Sequence, residues 1–240
     1  MQTQPLFYKR VVPLNREHHR NLYIEPEPGF NFARETNSVY VAAVEFLPAS
    51  REYPVVFATA EDGQLFPVAL LGVRNNQNLY IDPQGQWLTK YIPAYIRRYP
   101  FILATDEANT RFTVCIDESY PGFNTVKEGQ PLLSESGEDG PLLRRSVEFL
   151  KDYQSQIVLT TEFCKTLQGL DVMEPMQANI ALKSGEKFSL TGFQCVNKAK
   201  LKALSDTEIA GLVRSDYLEL MYLHLQSLGN MNSLLGLLPA

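Results

Sequence analysis

The chain has 240 residues, of which 45% are hydrophobic, and it carries a formal net charge of -5 at pH 7. This acidic balance argues against nucleic acid and anionic membrane surfaces as partners, because both require a basic footprint. The length allows one large core. We therefore expect a single domain over residues 1–240 that is strand-rich in 1–118, a loop in 119–141 and helix-rich in 142–240.

The composition also indicates a cellular location. The N-terminus has no apolar run after a basic start and no small-residue cleavage site, so it predicts no export signal. No apolar run reaches the roughly 18 residues that span a bilayer. Cys115, Cys164 and Cys195 lie far apart among apolar neighbours, which is typical of reduced core thiols. We expect a cytoplasmic protein without disulfides or metal-bound cysteines.

Residues 1–36 predict an arm laid over the body of the fold, with a short edge strand that ends at Pro13. The arm contains His18 and His19, an adjacent pair that suggests a metal site. Neighbouring side chains on an extended chain face opposite sides, however, and no Cys or Asp stands at ligand spacing. We interpret the pair as part of a solvated polar turn and expect no metal.

The next stretch predicts antiparallel strands. Residues 38–46 favour a strand, although so short an apolar run is also compatible with a buried helix segment. Asp62-Gly63 separates two apolar runs, 54–60 and 65–73, and this turn type predicts a hairpin.

Two further features belong to the same stretch, which we expect to form a three-stranded antiparallel meander. Pro67 lacks a backbone donor, so it should mark an edge position or a bulge. Residues 78–82, NLYID, predict a third strand that follows the turn at Asn75 and Asn76.

Residues 87–99, WLTKYIPAYIRRY, contain the only tryptophan and a cluster of tyrosine and arginine. Proline is best tolerated in the first turn of a helix, so we expect a helix from about Ile92 that stops before Pro100. The segment is a candidate surface for an acidic or peptide ligand. Alternatively, its tyrosines pack on the sheet and its arginines point into water. The candidate binding residues are Trp87, Tyr91, Tyr95, Arg97 and Arg98.

Residues 101–104 and 112–117 predict a second antiparallel pair, which ends at the adjacent carboxylates Asp117 and Glu118. Such carboxylates could act as acid and base or hold a divalent cation. Adjacent positions on a strand face apart, however, and a turn uses Asp for its own backbone bonding. We therefore keep both as candidate binding residues and favour the structural interpretation.

The C-terminal part favours helices. An apolar stripe predicts a long helix over about 142–168, and residues 176–196 predict a hairpin with its turn at Ser184-Gly185. A helix start at Asn197, a capping box from Ser205 to Glu208 and a last helix that ends at Gly229 follow. His224 lies just off the stripe of this last helix, and we interpret it as a boundary residue.

The chain lacks the sequence motifs of common active sites. It has no G-x-S-x-G, no Gly-rich phosphate loop, no C-x-x-C and no H-E-x-x-H. Enzymatic activity is therefore unsupported, and we expect no catalytic residues and no cofactor.

A series of short motifs runs in order across nearly the whole chain. The motifs are VPLN (12–15), EYPVVF (52–57), PVALLG (67–72), NLYID (78–82), YIPAYIRRYPFIL (91–103), CIDE (115–118), EPMQA (174–178), LTGF (190–193) and YLHLQSL (222–228). Together they resemble the SapC-like family. The family name comes from a component linked to surface-layer protein export, so the resemblance implies a Gram-negative bacterial source. Members often are encoded beside TonB-dependent receptors and proteins similar to flavin-dependent tryptophan halogenases. No active site comes with the resemblance.

We therefore expect an α+β fold, with a mainly antiparallel twisted sheet covered by helices, and consider two functions. The first is a non-enzymatic binding or accessory protein that recognises a protein or peptide through residues 87–99 and the 119–141 loop. The resemblance links such a role to surface-layer export or TonB-dependent uptake loci. The alternative is a small-molecule-binding enzyme or carrier with a pocket between the sheet and the long helix, using Asp117 and Glu118.

Overall fold

The computed structural model describes residues 5–25, 29–105, 112–181 and 187–238. It has an α+β fold with antiparallel sheets, as the sequence predicts. The strands are β1 (Val11–Pro13), β2 (Tyr23–Ile24), β3 (Ser38–Tyr40), β4 (Val55–Thr59), β5 (Leu65–Leu70), β6 (Phe101–Thr105), β7 (Phe112–Asp117), β8 (Phe123–Asn124), β9 (Gln130–Pro131), β10 (Met173–Ala181) and β11 (Lys187–Val196). The helices are α1 (Phe46–Ala49), α2 (Ala94–Arg97), α3 (Pro141–Gly169), α4 (Lys198–Lys202), α5 (Asp206–Arg214), α6 (Tyr217–Ser227) and α7 (Met231–Gly236). The division into domains stays a prediction.

The largest sheet has the strand order β10-β11-β4-β5-β3. The predicted hairpin of β4 and β5 is confirmed, with Val55 opposite Ala69 and Thr59 opposite Leu65. Its turn places Gly63 at a φ of 82°, a left-handed conformation that glycine adopts without a steric penalty.

Two strand predictions in this region are wrong. Residues 43–49 are helical, so the strand predicted for 38–46 ends at β3. Residues 78–82 form no strand beyond an isolated bridge from Ile81 to Trp87. Here the buried Asn78 side chain donates to the Ala33 carbonyl and accepts from the Tyr80 N–H, so local bonds replace a strand ladder. The hairpin of β10 and β11 instead supplies the neighbour of β4.

Pro67 lies in the interior strand β5, and not at an edge or a bulge. Its partner on β4 is Phe57. On the other side, the last paired residue of the ladder with β3 is Val68, which follows Pro67 in the chain. The Pro67 carbonyl still accepts the Val41 N–H at 3.2 Å, so the proline is tolerated because its missing N–H falls at the very end of that ladder.

The two smaller sheets hold the arm, residues 1–36, against the rest of the fold. The order β1-β7-β6 confirms the predicted pairing of residues 101–104 with 112–117 and places β1 at an edge. The connection expected at 105–110 lies mostly outside the described residues. The stretch 119–141 is not one open loop, because β8 and β9 pair on either side of β2 in the arm.

Helix α3 confirms the predicted long helix and joins two apolar clusters. Leu143 and Leu150 belong to a cluster around the β1-β7-β6 sheet. Phe163 and Leu167 belong to the main core beneath the five-stranded sheet. Burial of each such side chain stabilises the fold by about 1.5–3 kcal/mol, so α3 fixes the two sheets relative to each other.

The C-terminal predictions are largely confirmed. Residues 173–196 form the expected hairpin, although its turn at Ser184-Gly185 lies outside the described residues. Asn197 caps α4, and Ser205 forms a capping box with Glu208 at α5. The last predicted helix ends earlier than Gly229, because α6 stops at Ser227 and a separate helical turn leads into α7.

Cys115, Cys164 and Cys195 are free thiols, and burial raises the pKa of Cys164 to about 12. Within the described ranges, we find no helix with both the length and the apolar character needed to traverse a bilayer.

His224 is fully buried, and its prediction as a boundary residue is wrong. Its Nδ1 lies 2.7 Å from the Val55 carbonyl oxygen, and its Nε2 accepts the Val196 N–H at 3.1 Å. The ring therefore carries its proton on Nδ1 and ties α6 to β4 and β11. Burial lowers its pKa to about 4, against the opposing effect of the Val55 bond.

This pKa predicts an acid-dependent loss of stability. The unfolded chain takes up a proton on His224 near pH 6.5, whereas the folded chain does so only near pH 4. The contribution of His224 to the free energy of unfolding is therefore complete above pH 6.5. It declines as the pH falls towards 4, by about 3 kcal/mol in total. Urea unfolding of the wild type and His224→Gln at pH 7 and 4.5 measures it. We expect the stability difference between the two proteins to shrink by about 2–3 kcal/mol at pH 4.5. A difference that is the same at both pH values contradicts the assignment.

Candidate functional site: an aromatic cleft beside Arg97

The candidate site is a surface cavity of about 400 Å³ between the arm, the loop before α2 and the turn after β7. We call it the aromatic cleft, since half of the residues that line it have aromatic rings. Its lining is Gly29, Phe30, Phe32, Gln86, Trp87, Ile92, Ile96, Arg97, Tyr99 and Tyr120.

Trp87 forms one wall and is held by its polar edge. Its Nε1 donates to the Tyr53 hydroxyl at 2.8 Å and to Thr89 Oγ1 at 2.9 Å. The indole ring stacks beside Tyr80 at 6.5 Å and meets the edge of Phe30 at 5.5 Å. Because the indole N–H is already bonded, Trp87 offers the cleft an apolar ring surface.

The arm supplies the opposite wall through a close backbone approach. The Phe30 N–H donates to the Gly85 carbonyl at 2.8 Å. Gly85 has a φ of 87°, and a Cβ there would come within 2.6 Å of the Asn31 side chain. Phe32 then packs on Tyr99 with 4.3 Å between ring centroids. Residue 85 must therefore be glycine for the arm to lie against the Trp87 loop.

Arg97 places a cation at the edge of the cleft. Its side chain is exposed, and its Nε donates to the Ile92 carbonyl at 2.9 Å. The guanidinium carbon lies 5.0 Å from the ring centroid of Phe149 and 5.9 Å from that of Tyr91. These contacts fix the direction of the side chain while leaving it accessible to a carboxylate.

Tyr91 does not line the cleft, although the sequence marked it as a candidate. Its hydroxyl donates to Glu45 Oε1 at 2.7 Å, and the same oxygen accepts the Ala94 N–H at 2.7 Å. The other oxygen of Glu45 accepts the Ala42 N–H. Burial raises the pKa of Glu45, and these hydrogen bonds oppose the rise. The buried carboxylate thus fixes α2 and Tyr91 together, and no sequence signal marked it.

Tyr95 and Arg98 also serve packing. The Tyr95 hydroxyl accepts the Leu6 N–H at 3.2 Å, and the ring meets Phe7 of the arm. The guanidinium carbon of Arg98 lies 3.9 Å from the Tyr95 centroid and 5.7 Å from that of Tyr153. Of the five candidates in residues 87–99, the structure therefore places Trp87 and Arg97 in the cleft.

Asp117 is buried beneath the arm. It accepts the backbone N–H groups of Lys9 at 2.8 Å and of Arg10 at 3.0 Å, and the Tyr99 hydroxyl donates to it at 3.2 Å. Ser119 donates both its hydroxyl and its N–H. Burial acts to raise the pKa of Asp117, but these hydrogen bonds, with that of the Ser119 hydroxyl the largest, hold it below its usual value. The carboxylate therefore stays charged and anchors the arm.

Glu118 faces away from Asp117, as expected for adjacent positions, and meets the two histidines. Residues 16–21 form turns and are not extended, so His18 and His19 both direct Nε2 at Glu118 Oε1, at 3.5 and 3.0 Å. The inference that the histidines diverge is wrong. His19 is also not solvated, since only 5% of it is exposed.

The hydrogen bonds of this cluster indicate a polar network and do not fit a cation site. His19 Nδ1 accepts the Asn15 N–H at 2.9 Å, so its Nε2 carries the proton and donates to Glu118. A neutral histidine binds a metal only through an unprotonated nitrogen. Arg10 also occupies the second oxygen of Glu118 at 2.9 Å. The hydrogen bond from His19, followed by Arg10, lowers the pKa of Glu118.

A sequence profile described as SapC matches residues 14–234, which is nearly the whole chain. The chain belongs to the SapC family. No curated protein and no solved structure matches it.

The two carboxylates of the SapC chain are poorly suited to catalysis. The pKa of Asp117 and that of Glu118 both lie below their ordinary values, so neither carries a proton to donate near neutral pH. Their oxygens are already bonded to the arm. Their arrangement stabilises the position of residues 7–19.

Replacement of Asp117 by asparagine tests its role as an anchor. One amide nitrogen would face donors that now point at a carboxylate oxygen, and an unsatisfied buried donor costs about 1–3 kcal/mol. We expect Asp117→Asn to lower the free energy of unfolding by about 2–4 kcal/mol in urea titrations at pH 7.

The matched control is Asp171→Asn, because Asp171 pairs with Lys200 at 3.1 Å but is 90% exposed. An exposed ion pair contributes less than about 1 kcal/mol. Equal losses in the two variants would show that Asp117 does not anchor the arm.

Proposed function

We propose that this SapC protein is a non-enzymatic binding protein that holds a peptide segment of a partner protein in the aromatic cleft. The observation that carries the proposal is the combination of aromatic walls with an exposed guanidinium at their edge. Tyr, Trp, Phe and Arg are enriched where proteins bind one another. By family resemblance, we propose that the partner belongs to a surface-layer export or TonB-dependent uptake locus.

The lining of the cleft defines the chemistry of the occupant. The rings of Phe30, Phe32 and Trp87 favour an apolar or aromatic side chain, since burial between rings removes apolar area from water. Arg97 favours a carboxylate beside that side chain. The segment that fits both is a peptide with an aromatic residue next to an acidic one.

A small-molecule carrier is the alternative. A cavity of about 400 Å³ lies in the range typical of ligand pockets. Its lining comes from the arm, the Trp87 loop, α2 and Tyr120, however, and not from the space between the sheet and α3 that this alternative assumed. Asp117 and Glu118 are committed to the arm, which removes the acid and base on which an enzymatic version depended.

The only tryptophan of the chain lines the cleft, so its fluorescence reports occupancy directly. We expect acetyl-Glu-Phe-Glu-amide to change the Trp87 emission saturably, and acetyl-Gln-Phe-Gln-amide to bind about 3–10-fold more weakly because it lacks the carboxylates. Arg97→Gln should remove this preference, and a folded protein by circular dichroism with saturable peptide binding shows that the loss of its contacts with Phe149 and Ile92 is tolerated. Phenylalanine does not absorb at the excitation wavelength of tryptophan, so the signal belongs to the protein.

The matched control is Arg145→Gln, since Arg145 is an exposed arginine on α3 and does not line the cleft. This variant should keep the preference for the acidic peptide. The proposal fails if neither peptide changes the emission at millimolar concentration, or if the two arginine variants behave alike. Tyr91 and Arg98 are unsuitable for this test, because their replacement removes packing contacts.

A further inference from the structure

We infer that a cavity between the Trp87 loop and α7 is a second ligand site, which binds a small aliphatic carboxylate. This inference is independent of the proposed function, because no residue that lines this cavity also lines the aromatic cleft. The cavity, which we call the α7 groove, has a volume of about 450 Å³. Its lining is Arg51, Glu52, Tyr80, Leu88, Thr89, Lys90, Asn230, Ser233 and Leu237.

Hydrogen bonds fix both sides of the α7 groove. Glu52 accepts the Tyr91 N–H on Oε2 at 2.9 Å and the Lys90 N–H on Oε1 at 3.3 Å, which holds the loop on one side. The Asn230 side chain donates to the Ser50 carbonyl at 2.7 Å, which holds the start of α7 on the other. The groove is therefore formed before any ligand enters it, as is usual for small-molecule sites.

The accessible apolar surface of the groove is aliphatic. Leu88 is 51% exposed and Leu237 is 39% exposed, although both line the same cavity. Tyr80 lies beneath them with only 2% of its surface exposed, and its hydroxyl donates to the Glu52 carbonyl at 3.1 Å. A chain of methylene groups that covers the two leucines removes apolar area from water.

The charged side chains of the groove favour a carboxylate. Arg51 and Lys90 are exposed on the lining. Among the residues that the structure describes, neither the Arg51 guanidinium nor the Lys90 ammonium has a hydrogen-bond or ion-pair partner. Glu52 contributes the one carboxylate of the lining, and backbone N–H groups already occupy both of its oxygens. Two cations thus face the groove of a chain whose net charge is -5, and they attract an anion.

The ligand class follows from the two halves of this lining. A charged end satisfies Arg51 or Lys90, and the exposed Ser233 hydroxyl can donate to the same end. An apolar chain on that end covers Leu88 and Leu237. A fully charged anion such as inorganic phosphate would leave the leucines in water, whereas a neutral hydrocarbon would leave the cations without a partner. The aliphatic carboxylate is the class that uses both.

Hexanoate is the probe, and the amide signals of the protein in ¹H–¹⁵N NMR spectra report where it binds. We expect saturable shifts at Leu88, Lys90 and Ser233. Propanoate, which is three methylenes shorter, should bind about tenfold more weakly because it buries less apolar area. Hexanamide should bind about threefold to tenfold more weakly because it lacks the charge.

A double variant, Arg51→Gln with Lys90→Gln, should raise the Kd of hexanoate about threefold to tenfold and leave that of hexanamide unchanged. The control is Lys151→Gln, since Lys151 is exposed on α3 and lines neither cavity. This control should bind hexanoate like the wild type. Matching circular dichroism spectra of the variants show that a change in Kd does not arise from unfolding.

The inference is overturned if hexanoate causes no saturable shift at millimolar concentration, or if the double variant binds it like the wild type. Shifts confined to Phe32, Trp87 and Tyr120 would also overturn it, because they would place hexanoate in the aromatic cleft. None of these results affects the titration with acetyl-Glu-Phe-Glu-amide. If hexanoate binds at the α7 groove and that peptide binds nowhere, the proposed function fails alone.

Discussion

The buried carboxylate of Asp117 is the contact on which the candidate site depends. It accepts two backbone N–H groups from the arm and the hydroxyl hydrogen bond of Tyr99, which lies two residues after α2, so it joins β7, the arm and the end of α2 at one point. A buried charge is stable only when hydrogen bonds surround it, and this one has five donors. It therefore fixes Tyr99, on which Phe7 and Phe32 of the arm pack.

Three other ionisable groups with well-defined partners also serve structure. Glu45 fixes α2, Glu118 binds His19 and Arg10, and His224 joins α6 to the large sheet. Each has its hydrogen-bonding atoms occupied by backbone or by neighbouring side chains. What remains accessible at the cleft is aromatic surface, the Gln86 side chain and the charge of Arg97. Ionisable groups thus assemble the fold, while the cleft presents aromatic surface, which fits recognition of another molecule.

Local features of the fold could be predicted from the sequence, and features that join distant segments could not. The hairpin at Asp62-Gly63 and the helix α3 follow from turn chemistry and periodicity within a single stretch. Residues 78–82 have the composition of a strand, but the Asn78 side chain satisfies the backbone locally. The pairing of β11 with β4 joins segments about 135 residues apart, and no local pattern indicates it.

The same limit applies to the site. Trp87 and Arg97 stood out because they share one aromatic-basic stretch, whereas Phe30, Phe32 and Tyr120 come from segments that had no such signal. Tyr91 turns inward because its partner, Glu45, lies in a different segment. His18 and His19 converge because the chain there forms turns and because Glu118 approaches from β7. A composition identifies candidate residues, but the partners of each side chain decide its direction.

A crystal structure of the protein with acetyl-Glu-Phe-Glu-amide tests the central claim most directly. The account predicts that the phenylalanine ring lies between Trp87 and the Phe32–Tyr99 pair, with a glutamate oxygen within about 4 Å of the Arg97 guanidinium. A peptide that binds at another surface while the cleft stays empty would contradict it.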